Sequence, residues 1–429
     1  MATVKDAMLS LGSLSVYKGI LTRTVGRAFY ELLCAAGGDA REFGACWGRF
    51  FSLLCERGYS QNFAACMMEM ALYDDNVFSR ACASLDGPPL PEPVMAAVER
   101  DLRVLCDVSQ LTPEELIGSV GDRAVLGCLS RTLPRWETGE RLPMFEGKPS
   151  EYMKKMAAFY AYNGCGQYAR YSAFLWREGR LEPVHNPDPV RFSALKGYRA
   201  QQETVRQNTL DFVEGRPANN MLLYGDRGTG KSSTVKALLN EYHDRGLRMV
   251  ELPKEILSEF PLLAEKLSRL PLRFILFIDD LSFVSLNDSY TALKAVLEGG
   301  LTVRPDNVLI YATSNRRHLI REVFSDRADD EVHRSDTINE NLSLADRFGL
   351  SVCFSVPTRE EYLKIVKGIA ADGALSISPE RLEEEAEQWA LARGGRTPRA
   401  ARQYIDYASA RAGRQSKAGS PEEKQKDVR

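Results

Sequence analysis

The chain has 429 residues, enough for at least two hydrophobic cores, because single domains usually run to about 100–200 residues. Its composition, 44% hydrophobic and 27% charged, is ordinary for a globular protein. With 56 Lys and Arg against 58 Asp and Glu, the net charge of -2 excludes a protein that is basic throughout. Binding to nucleic acid or to an anionic membrane would therefore need a local basic patch.

The N-terminal residues do not have the pattern of an export signal. Lys5, Asp6 and Lys18 interrupt the apolar core that a signal peptide requires, and no stretch of the sequence is apolar enough to span a membrane. We therefore expect a cytoplasmic protein that does not bind membranes. Eight of the nine cysteines lie in the first 165 residues and none forms a C-x-x-C pair, which favours reduced thiols over a zinc site.

Residues 1–185 predict an α-helical N-terminal domain. Apolar residues recur at three- and four-residue steps, the spacing of one helix face, between Tyr17 and Leu32. Thr112, followed by Pro113 and Glu115, has the pattern of a capping box at a helix start.

Aromatic and basic side chains alternate near the end of this region. Such a mixture suits single-stranded nucleic acid, whose bases stack on aromatic rings. The helical spacing of many of these residues instead favours a packed core. The aromatic residues are Tyr152, Phe159, Tyr160, Tyr162, Tyr168, Tyr171, Phe174 and Trp176.

Residues 190–356 have the pattern of an α/β core. Short apolar runs, with helical stretches between most of them, predict a parallel sheet covered by helices on both faces. Residues 357–412 predict a helical lid that opens with a capping box at Thr358 and Glu361, and residues 413–429 predict a disordered tail because they are almost devoid of apolar side chains. The predicted strands are 221–224, 249–252, 274–278, 308–312 and 352–354.

A phosphate-binding loop follows the first of these strands. Residues 225–232, GDRGTGKS, match G-x-x-x-x-G-K-[ST] at every fixed position and precede a predicted helix. Glycines let backbone N–H groups surround phosphates, Lys231 supplies a charge to the β- and γ-phosphates, and the Ser232 hydroxyl ligates Mg²⁺. The sequence therefore predicts an ATP–Mg²⁺ site formed by Gly225, Asp226, Arg227, Gly228, Thr229, Gly230, Lys231, Ser232 and Ser233.

Two carboxylates, Asp279 and Asp280, end the apolar strand at 274–278. The carboxyl ends of parallel strands meet at one edge of a sheet, so both residues are expected beside the phosphate loop. Asp279 would hold Mg²⁺, and Asp280 would orient or deprotonate the attacking water. Alone, the pair would indicate no more than a turn; with the phosphate loop it indicates catalysis.

Taken together, these motifs resemble the AAA+ ATPase superfamily over about residues 190–410. The strand ending at Asn315 looks like the sensor-1 strand, which implies that Asn315 positions the attacking water. LADRFG at 344–349 resembles the arginine finger of initiators and helicase loaders, which implies that Arg347 reaches a neighbouring subunit's ATP in a homo-oligomer. GGRTPR at 394–399 looks like sensor 2 of the Holliday-junction branch-migration motor. It implies that Arg399 touches the γ-phosphate, with Arg396 and Arg402 as competing choices.

Longer sequence segments, such as NNMLLYGDRGTGKSS and LSLADRFGL, resemble those of one bacterial group of AAA+ proteins that is described only as ATP-binding. In this setting residues 195–198 resemble the segment that packs on adenine.

Two features depart from most AAA+ motors. Asp280 stands where they carry Glu, which favours slow hydrolysis because a misplacement of about 1 Å can cost on the order of 100-fold in rate. No unfoldase-type pore loop is present either.

The resemblance implies an ATPase that remodels or loads a macromolecular partner. The alternative is a slow, nucleotide-controlled switch whose N-terminal domain recruits a protein; a small-molecule kinase fits least, because no acceptor site is visible. DNA remains a candidate partner through Arg316, Arg317 and His318, which would equally suit a subunit contact. The acidic stretch 326–341 is either a solvated linker or an inter-subunit latch.

Overall fold

The computed structural model describes residues 3–84, 89–120, 123–282, 288–298, 305–315, 347–373, 375 and 377–418. The chain forms two compact units: Met1–Tyr171 with Arg269–Leu272, and Ser172–Ser268 with Arg273–Arg429. The first unit ends at Tyr171, whereas the sequence placed the end of the helical domain at residue 185. Within the described residues, no helix combines the length and the apolar character needed to cross a membrane.

The first unit is helical, as predicted. Its core contains a cluster of aromatic rings in which Trp136 lies 4.6 Å from Trp47 and 5.0 Å from Phe50, centroid to centroid. The Thr112 capping box is present, since the Thr112 side chain accepts from the Glu115 N–H. The helices are α1 Val4–Gly12, α2 Thr24–Ala35, α3 Ala40–Glu56, α4 Phe63–Leu72, α5 Val77–Cys82, α6 Glu92–Val108, α7 Pro113–Gly118, α8 Arg123–Thr132, α9 Pro149–Asn163 and α10 Gly166–Arg170.

The second unit begins with a β-hairpin that the sequence analysis placed in the helical domain. Strands β1 (Ala173–Arg177) and β2 (Arg180–Pro183) pair antiparallel, and both turn residues between them have a positive φ, as a two-residue hairpin turn requires. Tyr152 and Tyr160 are buried in the helical unit, whereas Phe174 and Trp176 are buried in the second unit. The predicted aromatic stretch therefore contributes to two cores.

The remaining strands form a parallel sheet with β1, and helices alternate with them along the chain. The strand order is β2-β1-β4-β5-β6-β3-β7. Strands β5 and β6 are buried along nearly their whole length, which explains their continuous apolar sequence. The elements are α11 Arg199–Val213, β3 Met221–Gly225, α12 Lys231–Tyr242, β4 Leu247–Glu251, α13 Phe260–Ser268, β5 Arg273–Ile278, α14 Asp288–Glu298, β6 Val308–Ser314 and β7 Leu350–Phe354.

A helical lid follows the sheet. It consists of α15 (Arg359–Asp372), α16 (Pro379–Ala392) and α17 (Pro398–Ala418), packed around buried Tyr362 and Tyr404. The Thr358 capping box begins α15 as predicted. Helix α17 continues to Ala418, past residue 413, where the sequence analysis placed the start of the disordered tail. A helix can continue on a polar sequence because most of its backbone hydrogen bonds are internal.

Candidate functional site

The loop at 225–230 connects β3 to α12 and depends on glycine geometry. Gly225 has a φ of +127°, and a Cβ on it would overlap the carbonyl oxygen of Phe354 in the neighbouring strand β7. Gly230 caps α12 with a φ of +95°. These conformations turn the chain sharply from the strand into the helix, so that the helix N-terminus faces the loop and favours an anion there.

Lys231 is the charged group of this loop and is only 6% exposed. Its Nζ donates to the carbonyl oxygens of Gly225 at 2.9 Å and Asp226 at 2.7 Å, and to Oδ1 of Asn315 at 3.3 Å. Burial lowers the pKa of Lys231, while Asp226 and the two strand-end carboxylates act in the opposite direction. A cation held inside a ring of carbonyls suits a phosphate group, which can replace these acceptors.

The predicted metal ligands are in contact. Ser232 Oγ donates to Asp279 Oδ1 at 2.6 Å, although the two residues come from different elements, α12 and the end of β5. A hydroxyl and a carboxylate are the oxygen ligands that Mg²⁺ takes when substrate phosphates and waters complete its shell. In the part of the chain that the structure describes, no group of three or more His, Cys, Asp or Glu is placed to hold a metal ion.

Asp280 lies beside this pair in an unusual conformation. Its φ is +50°, in the left-handed region that non-glycine residues rarely adopt. Asn315 Nδ2 donates to Asp280 Oδ1 at 2.5 Å, so the residue predicted as the base and the predicted sensor 1 form a hydrogen-bonded pair. Since Asn315 also accepts from Lys231, its amide connects the phosphate loop to the carboxylate.

The phosphate loop, Asp279 and Asp280 line a cavity with a volume of about 750 Å³. The lid forms one side of this cavity through Arg399 and Arg402. The backbone N–H of Arg399 also donates to the carbonyl of Gly228 at 3.2 Å. Arg396 is not among the lining residues; its Nε donates to Glu387 at 2.7 Å. The structure thus separates Arg396 from the other two candidates.

The segment that resembles an adenine-packing element adjoins the cavity. Leu195, Lys196 and Tyr198 line both this cavity and a neighbouring one of about 1030 Å³. Tyr198 donates from its hydroxyl to the Ser355 carbonyl at 2.6 Å, and its ring lies 5.2 Å from that of Phe354, centroid to centroid. An apolar and aromatic wall beside a phosphate loop can accommodate a nucleotide base.

Arg347 is not among the residues that line the cavity. It lies in a turn immediately before β7, on the same chain. Its predicted role in a neighbouring subunit's site therefore stays a prediction. The predictions for Arg316, Arg317 and His318 and for the acidic stretch 326–341 lie outside the described residues.

Thr313 is a residue of this site that was not predicted from the sequence. Its hydroxyl donates to Asp279 Oδ1 at 2.5 Å, and it lines the same cavity. A signal was present, since Thr313 precedes Asn315 by two residues in a strand and alternate residues lie on one face. The sensor-1 strand was predicted to end at Asn315, and β6 runs to Ser314, but a role was predicted only for the residue at the end of the strand.

Comparison with known families gives the chain its classification. Residues 169–412 match the family model described as "Protein of unknown function (DUF815)", which is more than half of the chain. The chain belongs to the DUF815 family. The matched region begins near the start of the second unit and ends in the lid, so it contains the whole cavity.

Solved structures similar to this DUF815 protein include the RuvB Holliday junction branch migration motor of Thermotoga maritima, with a TM-score of 0.36 and 16% identity over 51% of this chain and 63% of that one. A point mutant of the same motor gives a TM-score of 0.38 and 17% identity over 53% of this chain and 67% of that one. The chain therefore spans about 63% of the length of the first of these structures. No curated protein is significantly similar to it in sequence.

The predicted fold class is confirmed by the architecture itself. The DUF815 region has a P-loop after β3, a parallel sheet covered by helices and a C-terminal helical lid, and a helical N-terminal unit precedes it. This is the AAA+ arrangement that the motifs indicated.

Proposed function

We propose that this DUF815 protein binds ATP with Mg²⁺ and hydrolyses the bond between the β- and γ-phosphates, which releases ADP and phosphate. The observation that carries the proposal is the contact between Ser232 and Asp279, because it joins the phosphate loop to the strand-end carboxylate. Neither residue type alone indicates a nucleotide site. Together, beside Lys231 and the N-terminus of α12, they form the oxygen ligands and the positive field that a nucleoside triphosphate with Mg²⁺ requires.

The loop residues would bind the phosphates. Backbone N–H groups of residues 228–232 would donate to phosphate oxygens at the N-terminal end of α12, where an anion is stabilised. Lys231 would exchange the carbonyls of Gly225 and Asp226 for phosphate oxygens, which are stronger acceptors because they are charged. A bound Mg²⁺, held by Ser232 and Asp279, would neutralise charge on the β- and γ-phosphates.

Hydrolysis would use the pair formed by Asp280 and Asn315. A carboxylate and an amide that already share a hydrogen bond can accept from and orient one water molecule. Arg399 and Arg402 line the cavity from the lid, and we assign to Arg399 the contact with the γ-phosphate because its backbone is fixed to Gly228. We further propose that Arg347 acts on the ATP of a neighbouring subunit in a homo-oligomer that remodels or loads a macromolecular partner.

A second candidate function is a slow, nucleotide-controlled switch whose helical N-terminal unit recruits a protein. Asp280 favours it, since the side chain is one methylene shorter than Glu, and a base displaced by about 1 Å costs on the order of 100-fold in rate. The two candidate functions use the same nucleotide site. They differ in the rate of hydrolysis and in whether the partner is remodelled or only recruited.

The test is nucleotide binding and steady-state hydrolysis by the full chain, by Lys231→Ala and by Lys236→Ala. Lys236 lies on the same helix, and its side chain is partly exposed, so it controls for the loss of one lysine from α12. We expect Lys231→Ala to abolish binding and Lys236→Ala to keep it. Equal binding by the three proteins would contradict the proposed site.

The rate per subunit, measured against protein concentration with and without single- and double-stranded DNA, separates the two candidate functions. A rate that rises with concentration and with DNA supports a remodeller that acts on nucleic acid. A slow rate that is indifferent to both supports the switch.

A further inference from the structure

Thr313 lies in β6 beside Asp279 and Asp280, the two residues that follow β5. The parallel register pairs Ile278 with Ala312, so the residue after each, Asp279 and Thr313, lies at the same level of the sheet. Thr313 is 2% exposed, and its hydroxyl is directed at the site. This residue is not part of the phosphate loop, and no role was assigned to it from the sequence.

Three hydrogen bonds fix the chain after β5 to Thr313. Its Oγ1 donates to Asp279 Oδ1 at 2.5 Å and accepts from the backbone N–H of Asp280 at 3.1 Å. Its carbonyl accepts from the N–H of Leu281 at 2.7 Å. Through one side chain and one carbonyl, Thr313 therefore contacts three consecutive residues: the carboxylate of Asp279 and the backbone N–H groups of Asp280 and Leu281.

The direction of these bonds follows from the chemistry of the groups. A hydroxyl has a single proton, and an ionised carboxylate can only accept. A backbone N–H can only donate, so the Thr313 oxygen accepts from Asp280. Its single proton is then donated to the carboxylate of Asp279. Asp279 Oδ1 also accepts from Ser232 Oγ, so the two hydroxyls hold this oxygen from two elements, α12 and β6.

The same bonds act on the backbone of Asp280. Its φ of +50° costs energy in a residue with a Cβ, and such strain persists only where surrounding contacts enforce it. The N–H of Asp280 is held by Thr313, the N–H of Leu281 is held by the Thr313 carbonyl, and the Asp280 carboxylate is held by Asn315. Thr313 thus contributes to the conformation that directs Asp280 toward Asn315.

We propose that Thr313 is the positioning residue of this site, acting through its hydroxyl to aim Asp279 at the metal and to hold Asp280 in its left-handed conformation. The inference rests on the proposed function, since it assigns Thr313 a role in Mg²⁺-dependent nucleotide binding. Hydrogen bonds that orient metal ligands typically contribute about 10–100-fold to metal affinity or activity, so the effect is measurable.

A purely structural role for Thr313 makes a different prediction. Valine has nearly the shape of threonine but no hydroxyl, whereas serine keeps the hydroxyl and loses a methyl group. If Thr313 only fills space, Thr313→Val is the milder change. If it orients Asp279, Thr313→Ser is the milder change. Thr209→Val is a matched control, because Thr209 is a fully buried threonine whose hydroxyl bonds to Val205 and Tyr311.

The experiment measures the affinity of a fluorescent ATP analogue with Mg²⁺ and with EDTA, for the full chain and for Thr313→Val, Thr313→Ser and Thr209→Val. We expect Thr313→Val to reduce the Mg²⁺-dependent gain in affinity by about 10-fold or more, with the affinity in EDTA unchanged. Thr313→Ser and Thr209→Val should retain the wild-type gain. A wild-type Mg²⁺-dependent gain in Thr313→Ser shows that the smaller gain in Thr313→Val comes from the missing hydroxyl and not from a folding defect.

The outcomes separate this inference from the proposed function. Wild-type Mg²⁺ dependence in Thr313→Val, or equal losses in Thr313→Val and Thr313→Ser, overturns the role of Thr313 and leaves the nucleotide site standing. Absence of nucleotide binding, or of any Mg²⁺ dependence, in the wild-type chain overturns the proposed function, and the role of Thr313 with it.

Discussion

Asp280 combines a strained backbone with a carboxylate that contacts Asn315. A non-glycine residue in a sparsely populated region costs about 1–3 kcal/mol, and such residues cluster at functional sites. Asparagine tolerates the left-handed region better than most residues, so it can replace Asp280 without adding strain. This property allows the chemistry of the carboxylate to be tested separately from the backbone.

We predict that Asp280→Asn binds ATP with wild-type affinity and hydrolyses it about 10²–10⁴-fold more slowly, because the amide cannot accept a proton from water. The measurement is single-turnover hydrolysis beside equilibrium binding. Asp280→Ala is the comparison, and it should also melt at a lower temperature because alanine tolerates a positive φ less well. Wild-type turnover in Asp280→Asn would remove this residue from the mechanism.

The three lid arginines differ in their surroundings, which makes their roles separable. Arg399 lines the cavity, whereas Arg396 is bonded to Glu387. We predict that Arg399→Ala weakens ATP binding about 10–100-fold more than ADP binding, since a hydrogen bond to a charged group contributes about 1.5–3 kcal/mol. Arg396→Ala should leave the ATP-to-ADP affinity ratio unchanged. The reverse result would transfer the γ-phosphate contact to Arg396.

At the scale of elements, the site depends on how closely β3 approaches β7. Strand β3 pairs in parallel with β6 on one side and β7 on the other, and Gly225 is level with Phe354 of β7. A Cβ at Gly225 would overlap the Phe354 carbonyl, and both strands are held by their ladders. The phosphate loop therefore begins at a point where the sheet leaves no space for a side chain.

Gly225→Ala should lower the melting temperature and weaken nucleotide binding, because the new methyl group requires the loop or β7 to move. Overpacking of this kind typically costs about 1–3 kcal/mol. The control is Gly44→Ala in α3, where a Cβ meets nothing within 4 Å. It should be neutral or stabilising by roughly 0.5–1 kcal/mol, as for glycine replaced inside a helix. A wild-type melting temperature for Gly225→Ala would contradict the argument.

For the molecule as a whole, the central question is whether the site is completed by a second copy. Arg347 does not line the cavity of its own chain. An arginine supplied in trans stabilises the charge that develops on the transferred phosphoryl group and contributes about 10³–10⁵-fold to turnover in phosphoryl-transfer enzymes. The proposed homo-oligomer therefore has a sharp test in mixed subunits.

We predict that Arg347→Ala binds ATP normally and turns it over about 10³-fold more slowly. Mixing it with Lys231→Ala should restore part of the activity, because the Lys231→Ala subunit supplies Arg347 to an intact nucleotide site. Alone, Arg347→Ala should keep only its slow residual rate, and Lys231→Ala should have none. Failure of the mixture to recover activity, with both variants folded and associated, would exclude a finger in trans.

The sequence by itself determined the features that rest on local patterns. The phosphate loop, the apolar strands, the capping boxes at Thr112 and Thr358 and the helical N-terminal region are encoded by residue type and spacing within short segments. Glycine positions, apolar runs and cap residues act through steric limits and hydrogen bonds between near neighbours, so they can be predicted without knowing the rest of the fold.

Only the tertiary structure decided the features that depend on pairing between distant segments. The β1–β2 hairpin joins the sheet because β1 pairs with β4, a contact that its own short sequence does not specify. The sequence did not decide which of three arginines on one segment contacts the γ-phosphate. The structure separates Arg396 from the other two, because its side chain is bonded to Glu387. The role of Thr313 follows from the register of β5 and β6, which places its hydroxyl against Asp279. Register between strands is set by the packed core as a whole, and for that reason it cannot be read from either strand alone.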